Sequence, residues 1–344
     1  MTRSLLAGAL ALLLPTTLGA QSEAQLPDAA ALDAALTAFD VPGVAMASLA
    51  SCAMDEVVVA GTADLSTSTP VRPDTAFEAA SLSKPVFAYL VLKLADEGII
   101  DLDAPLAATF YYPRIPDTDA YARITPRMIL THRTGLPNWV DEGTDFHAGT
   151  APIPFEAEPG VAFTYSGEGF QLLQAFVEHQ TGRTLQQLFR DRLGTVMPNS
   201  TFALPLPETV TPSRGYRDAQ DEGRGLTNLK TRGMAASSLV TTAGDYARFL
   251  SHVCRGEGLT PATQTDMLTP QSPASGEAPF PTSWGLGWMI GDLGGLTLVG
   301  HGGNNDEYRA FAGYMRETGD GIVILTNGAN GQALIEVLLL PPAQ

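Results

Sequence analysis

The sequence predicts an α+β fold in which one antiparallel sheet is built from both chain ends, is flanked by helices, and is interrupted by a mostly helical inserted region. Three observations lead there. Two short apolar segments with a turn-sized interval stand near the N-terminus, strand-length apolar segments separated by Gly-containing turns fill the last third, and helical patterns with long loops lie between them. No internal repeat of roughly 20 to 50 residues is present, which excludes solenoids and propellers.

The first segment reads as an address. Arg3 supplies a positive start, Leu5 to Leu14 an apolar run, and Gly19, Ala20 and Ala24 small residues suited to cleavage. That run is too short for a bilayer, which needs about 20 residues, so no stable membrane span is expected. The expected organisation is a signal peptide over 1–24 and one domain over 25–344, exported to a periplasmic or extracellular location. Its α/β part is expected at about 25–80 and 235–344, and its mainly helical part at about 81–234. No cysteine lies near the cleavage zone. Cys52 and Cys254 are the only cysteines, and they fit either a disulfide, which export permits, or two buried thiols.

Past the leader, Ala29 to Phe39 has helical character and Val41-Pro-Gly43 stops it. Val44 to Leu49 and Glu56 to Ala60 form a hairpin pattern. Ser66 to Pro73 is a loop, and Ser81-Leu-Ser-Lys84 opens an almost continuously apolar helix from Pro85 to Glu97, which Gly98 ends. Helical patterns follow at Thr125 to Thr131, Glu168 to Gln180, Leu185 to Leu193 and Ala243 to Cys254. The final meander takes Trp284 to Ile290, Leu296 to Val299, Arg309 to Tyr314 and Gly321 to Thr326 as strands.

Composition narrows the function classes. The chain of 344 residues is 44% hydrophobic and 17% charged, and its formal charge of −17 repels phosphate backbones and anionic headgroups. Nucleic acid is excluded as a partner, and disorder fits poorly. A Gly-x-Ser-x-Gly elbow occurs nowhere, which disfavours an α/β-hydrolase. Gly285-Leu-Gly287 is followed by glycine one residue too late for a dinucleotide fingerprint and lies in a strand pattern.

Three constellations could carry chemistry. Only three lysines stand against seventeen arginines, and lysine, unlike arginine, can lose its proton when desolvated. Lys84 follows Ser81 by three residues, a spacing that puts both side chains on one helix face, where an amine can activate a weakly nucleophilic hydroxyl. In isolation the pair also fits a helix N-cap with a solvated first-turn lysine. Lys93, at the far end of the same helix, reads as a snorkelling surface residue. Tyr165-Ser166-Gly167, directly before a helical pattern, can present a phenol to relay a proton, or serve as packing. Gly300-His301-Gly302-Gly303-Asn304 offers close backbone approach, and the amides of Ser81 and Asn304 would form a two-donor oxyanion hole. No other histidine forms a metal-ligand spacing with His301, and neither metal nor organic cofactor is expected.

These residues resemble the penicillin-recognising serine hydrolases, the group of class C β-lactamases, D-alanyl-D-alanine carboxypeptidases and family VIII esterases. The resemblance runs from about Leu36 to Gly328 over several blocks in the family's order. They are Phe77-Glu-Ala-Ala-Ser-Leu-Ser-Lys84, Ile129-Leu-Thr-His-Arg-Thr-Gly-Leu-Pro137, Phe163-Thr-Tyr-Ser-Gly-Glu-Gly169, Ser238-Leu-Val-Thr-Thr-Ala-Gly-Asp-Tyr-Ala-Arg-Phe-Leu250, Trp284-Gly-Leu-Gly-Trp288, His301-Gly-Gly303 and Val323-Ile-Leu-Thr-Asn327. It implies a β-lactamase-like fold, Ser81 as the acylated nucleophile, Lys84 and Tyr165 as the proton-transfer pair, and His301, Gly302 and Gly303 lining the substrate edge strand. Two departures stand out. Gly167 replaces the Asn of Tyr-x-Asn that meets an acylamide, and His301, partly charged near neutral pH if unperturbed, replaces a lysine that meets a carboxylate.

The expected activity is therefore hydrolysis of a small-molecule ester, amide or β-lactam through an acyl-enzyme, most in keeping with an esterase. A D,D-carboxypeptidase or weak β-lactamase is the alternative within the class, and a non-turnover sensor or binding protein the alternative outside it. Loops at Asp141 to Gly160, Pro205 to Gly225 and Pro270 to Ser283 are expected to rim the pocket. Trp139 would line it or anchor a loop.

Overall fold

A computed structural model describes residues 26–116, 118–140, 151–218, 221–273 and 282–339. The leader expected over 1–24 lies outside them, as do 141–150, 219–220 and 274–281 of the three rim loops.

Local signals account for much of the chain's order. Helix α1 (Ala29–Phe39) starts at Asp28, whose carboxylate accepts from the Ala31 amide at 2.8 Å, and stops at Asp40 in the left-handed region. Strands β1 (Gly43–Ala50) and β2 (Ala53–Asp64) make the expected hairpin, with β2 longer at both ends than its apolar stretch suggested. Strand β3 (Thr69–Pro70) is short, and β4 (Thr75–Glu78) leads into a 3-10 turn at Ala80–Leu82. Helix α2 (Ser83–Asp96) follows and is buried on nearly every side, as an apolar run without a polar face must be.

The inserted region carries α3 (Thr118–Tyr121), α4 (Pro126–Leu130), α5 (Gly167–Thr181) and α6 (Leu185–Leu193). Thr125, Ser166 and Thr184 cap the last three of these through their hydroxyls. Two short strands, β5 (Thr211–Pro212) and β6 (Val240–Thr241), precede α7 (Ala243–Cys254) and α8 (Pro261–Met267). Then come β7 (Ser272–Pro273), β8 (Thr282–Trp284), β9 (Met289–Asp292), β10 (Thr297–Asn305), β11 (Tyr308–Met315) and β12 (Gly321–Thr326), with α9 (Gly331–Leu339) at the end.

Among the described residues the main sheet has nine strands in the order β3-β2-β1-β12-β11-β10-β9-β8-β7, and its pairings are antiparallel. Both chain ends build it, through the β1–β12 seam, where Ala47 faces Val323. A second, three-stranded sheet places β4 between β5 and β6. Period-two alternation sorts the seam residues into two cores. Val44, Met46, Ile322 and Ile324 pack with Leu32, Leu36, Leu334 and Ile335 of α1 and α9. Ala45, Ala47, Val323 and Leu325 pack on the other side with residues of α2 and α7. Each large aliphatic side chain so buried contributes about 1.5–3 kcal/mol relative to exposure.

The segment from Trp284 to Ile290, expected as one strand, is two. Residues 285–288 form a turn in which Gly287 has φ +84°, and a Cβ there would stand 2.3 Å from Cβ of Ala88 on α2. That approach, and the positive φ, end the strand. Sequence periodicity did not show β3 to β7, α3, α8 or α9, and β3 and β7 lie in segments expected as loops.

Cys52, in the β1–β2 turn, is disulfide-bonded to Cys254 at the end of α7, with Cα atoms 5.5 Å apart. The bond joins the β1–β2 hairpin to the end of α7.

Candidate active site

Chain geometry begins the site before Ser81. Ala80 adopts φ +50°, a strained conformation for a residue with a side chain, at the start of the 3-10 turn. The turn is held on both sides. The Ala79 amide donates to Leu239 O at 2.8 Å, the Ser83 hydroxyl donates to Ala80 O at 2.6 Å, and the Leu239 amide donates to the same hydroxyl at 2.9 Å. Ser81 is half-buried within this turn. The N-cap of α2 is Leu82, without a side-chain cap, so the helix-capping reading of Ser81 is overturned.

Lys84 is buried, with 1% of its surface exposed, which overturns the solvated reading as well. Its ammonium donates to Ser81 Oγ at 3.1 Å and to Ala236 O at 2.9 Å. It also lies 4.9 Å from the centre of the Tyr165 ring and 5.7 Å from that of Phe170. No carboxylate pairs with it among the described residues, and burial pushes its pKa down to about 7. Lys93 bonds Gly258 O near the surface at 2.6 Å, in keeping with a snorkelling lysine.

Tyr165 arrives from the loop before α5. Burial pushes its phenol pKa up, opposed by a hydrogen bond with Ser81, so it is a protonated donor near neutrality. The following Ser166 is a structural cap: its hydroxyl accepts from the Gly169 amide and donates to Pro137 O, both at 2.8 Å.

Strand β10 closes the other side. A Cβ at Gly303 would stand 2.5 Å from Ala79 O and 3.3 Å from Ala80 Cβ, so glycine is what lets the strand reach the turn that carries Ser81. The register with β9 ends at Gly300, which leaves the stretch from His301 to Asn304 beyond that strand's pairing. His301 and Gly303 are buried, while Gly302 and Asn304 are exposed. The Asn304 side chain accepts from the Asp306 amide through Oδ1 at 3.0 Å and so serves the β10–β11 turn.

His301 is not partly charged. Burial, then the nearby Lys84 charge, push its pKa down to about 3, against a bond to Gly302 O at 2.6 Å. That bond puts the proton on Nδ1 and leaves Nε2 as an acceptor. The edge strand therefore carries a neutral ring where a partly charged one was expected.

Gly167 is the first residue of α5, and its environment explains its identity. A Cβ at this position would lie 2.5, 2.7 and 2.8 Å from indole atoms of Trp139. Trp139 thus occupies the space a side chain at 167 would need. Asn138 secures the arrangement by accepting from the Gly167 amide through Oδ1 at 3.0 Å.

One cluster was not foreseen. The buried Glu78 carboxylate accepts from Arg224 at 2.8 and 3.2 Å, from the Asn228 amide at 3.0 Å and side chain at 2.9 Å, and from Asn305 Nδ2 at 2.8 Å. Arg224 also bonds Glu307 and, at 2.7 Å, Asn305 O. This network ties the strand before Ser81 to the end of β10, fixing the two candidate oxyanion donors relative to each other. A glutamate within the apolar run Phe77 to Leu82 was its only trace in the sequence. Among the described residues no group of His, Cys, Asp and Glu is placed to hold a metal ion, and no helix is long and apolar enough to cross a membrane.

Comparison with known proteins agrees with this architecture. A family model described as Beta-lactamase matches residues 29–337. Penicillin-binding protein 4 of Amycolatopsis lactamdurans is 25% identical over 321 residues, covering 86% of this chain and 83% of that protein. Esterase EstB of Burkholderia gladioli is 28% identical over 277 residues, covering 67% and 70%. Among solved structures, D-amino acid amidase from Ochrobactrum anthropi SV3 superposes with a TM-score of 0.73 at 24% identity, over 90% of this chain and 97% of that one. With the family model spanning nearly the whole described chain and the fold shared, the protein belongs to the beta-lactamase family and is a hydrolase of that fold.

Proposed function

We propose that the protein hydrolyses small carboxylic esters through an acyl-enzyme on Ser81, with Lys84 and Tyr165 as the proton-transfer pair. The observation that carries this reading is the 3.1 Å contact between Lys84 Nζ and Ser81 Oγ, made by a lysine whose pKa is pushed down to about 7. A buried amine without a carboxylate partner is neutral in a large fraction of molecules at that pH, and so can act as a base.

In this mechanism neutral Lys84 takes the Ser81 hydroxyl proton as Oγ bonds to the ester carbonyl carbon. Charge moves to the carbonyl oxygen, which faces the backbone amides of Ser81 and Asn304, donors of a kind worth about 3–4 kcal/mol each. Collapse of the tetrahedral species re-forms the carbonyl and breaks the bond to the alcohol, which takes the proton from Lys84 through the Tyr165 hydroxyl. Water then attacks the acyl-serine, gives a proton to the same pair, and Ser81 leaves with its proton restored.

Esters are favoured because the other contacts are missing. Trp139 fills the place of an amide-bearing side chain at 167, and neutral His301 offers no cation to a carboxylate. The similarity to an esterase at 28% identity supports the same choice. A second reading, cleavage of D-amino acid amides or peptides, is favoured by the similarity to D-aminopeptidase of Brucella canis at 26% identity. A panel of p-nitrophenyl butyrate, nitrocefin and a D-amino acid p-nitroanilide separates the readings, with Ser81→Ala as the blank. Many Ser81-dependent turnovers on the ester and few on the others are expected. Dominant nitrocefin cleavage would assign a β-lactamase, dominant anilide cleavage an aminopeptidase, and one equivalent of released product a sensor.

We also propose that the protein is exported, supported by the leader pattern and by the Cys52–Cys254 disulfide, which persists in oxidising compartments. N-terminal sequencing of the protein recovered outside the cytoplasm should then begin near residue 25. An intact Met1 terminus there would contradict cleavage.

A further inference from the structure

His132 belongs to the Ile129–Pro137 block, yet the mechanism gives it no task. It follows α4 and its C-cap Thr131, with φ +53°, in the left-handed conformation that helix ends usually assign to glycine or asparagine. It is fully buried. A histidine held in a strained, enclosed position calls for a reason beyond chain reversal.

Its contacts converge on one residue. His132 O accepts from the Thr164 amide at 2.8 Å, and His132 Nδ1 accepts from the Ser166 amide at 3.0 Å, so the backbone on either side of Tyr165 is bonded to this single residue. The imidazole also lies on the Tyr165 ring, with centroids 4.4 Å apart and planes tilted by 31°. Phe170 and Trp284 enclose the imidazole at centroid distances of 5.3 and 5.0 Å. We propose that His132 is a positioning residue for Tyr165, holding the phenol between Ser81 and Lys84 by three contacts. This rests on the proton-relay reading of Tyr165.

The hydrogen bonds fix the ring's state. Because Nδ1 accepts a backbone N–H, it carries no proton, and the neutral ring holds its hydrogen on Nε2. An imidazolium would set two donors against each other and abolish the bond to Ser166.

A mutant cycle on p-nitrophenyl ester turnover tests the inference. His132→Phe keeps an aromatic face and loses the acceptor. His132→Asn keeps an acceptor near the place of Nδ1, suits the left-handed backbone, and loses the ring. Each is combined with Tyr165→Phe, and melting temperatures confirm folding. His132→Phe should lower kcat by about 10–100-fold with KM within about threefold, as a misplaced proton-transfer group does. His132→Asn should recover part of that loss. In the Tyr165→Phe background either substitution should change kcat by less than about twofold, because its route of action is already gone.

An equal loss in both backgrounds, or wild-type kcat in His132→Phe, would overturn the inference while leaving the Ser81–Lys84 mechanism standing. If His132→Phe does not fold, the asparagine cycle discriminates in the same way. Wild-type turnover by Tyr165→Phe alone would instead remove Tyr165 from the mechanism, and the inference with it.

Discussion

Lys84→Arg is expected to fold, keep its positive charge and lose acylation by about a thousandfold or more, the range attributed to a positioned general base. Arginine cannot give up its proton at working pH, so it can donate to Ser81 Oγ without ever accepting from it. The substitution separates charge from basicity, which an alanine would not. Because the site is enclosed and the guanidinium is larger, Lys84→Met serves as a companion of similar volume without charge. Both should fail alike if basicity is what matters. Full activity in Lys84→Arg would show that Lys84 acts only as a fixed cation.

As the proposed base, the same group is expected to set the pH profile. Lys84 is a base only when neutral, and burial places its pKa at about 7. As pH falls through that value the ammonium form takes over, so kcat/KM should rise with pH through about 7 and level off above it. Neither Lys84 variant should show that limb in its residual rate. His301 cannot supply it, since burial and the Lys84 charge hold its pKa at about 3. A wild-type limb displaced to the ordinary lysine range, about 10, would mean that Lys84 is solvated in solution, against its 1% exposure.

Legibility in the sequence followed the range of the interaction. Helices α1, α6 and α7 begin where their patterns predict because Asp28, Thr184 and Thr242 cap them locally. The Ser81–Lys84 contact was legible for the same reason, being a spacing of three residues. Helix α8 escaped although Thr260 caps it and Pro261 opens it, while the rest of what escaped at the site depended on partners distant in the chain. The turn that splits the strand expected over Trp284 to Ile290 is held by distant partners, with Ala88 against Gly287 and the Leu286 and Gly287 amides donating to Met267 O and Leu130 O. The Glu78 carboxylate finds Arg224 and Asn305, 146 and 227 residues away.

Charge states were the least legible. His301 looked like an ordinary histidine of intermediate charge, and only its enclosure beside Lys84 makes it neutral. Gly167 was visible as a departure, but its cause, the indole of Trp139 in the same space, was not. His132 was visible only as a letter in a block, since its tethers to Thr164 and Ser166 form across a loop.

Ser81 carries the largest effect of all. Its hydroxyl is the only part of the proposed machinery that becomes covalently bonded to substrate, so Ser81→Ala should reduce ester turnover to the uncatalysed background, with fold and melting temperature preserved. The most direct measurement is the intact mass of protein acid-quenched during turnover of p-nitrophenyl butyrate, followed by peptide mapping. One added butyryl group per chain is expected, located on Ser81 and lacking in Ser81→Ala. Turnover with no adduct on Ser81, or an adduct on another residue, would contradict it.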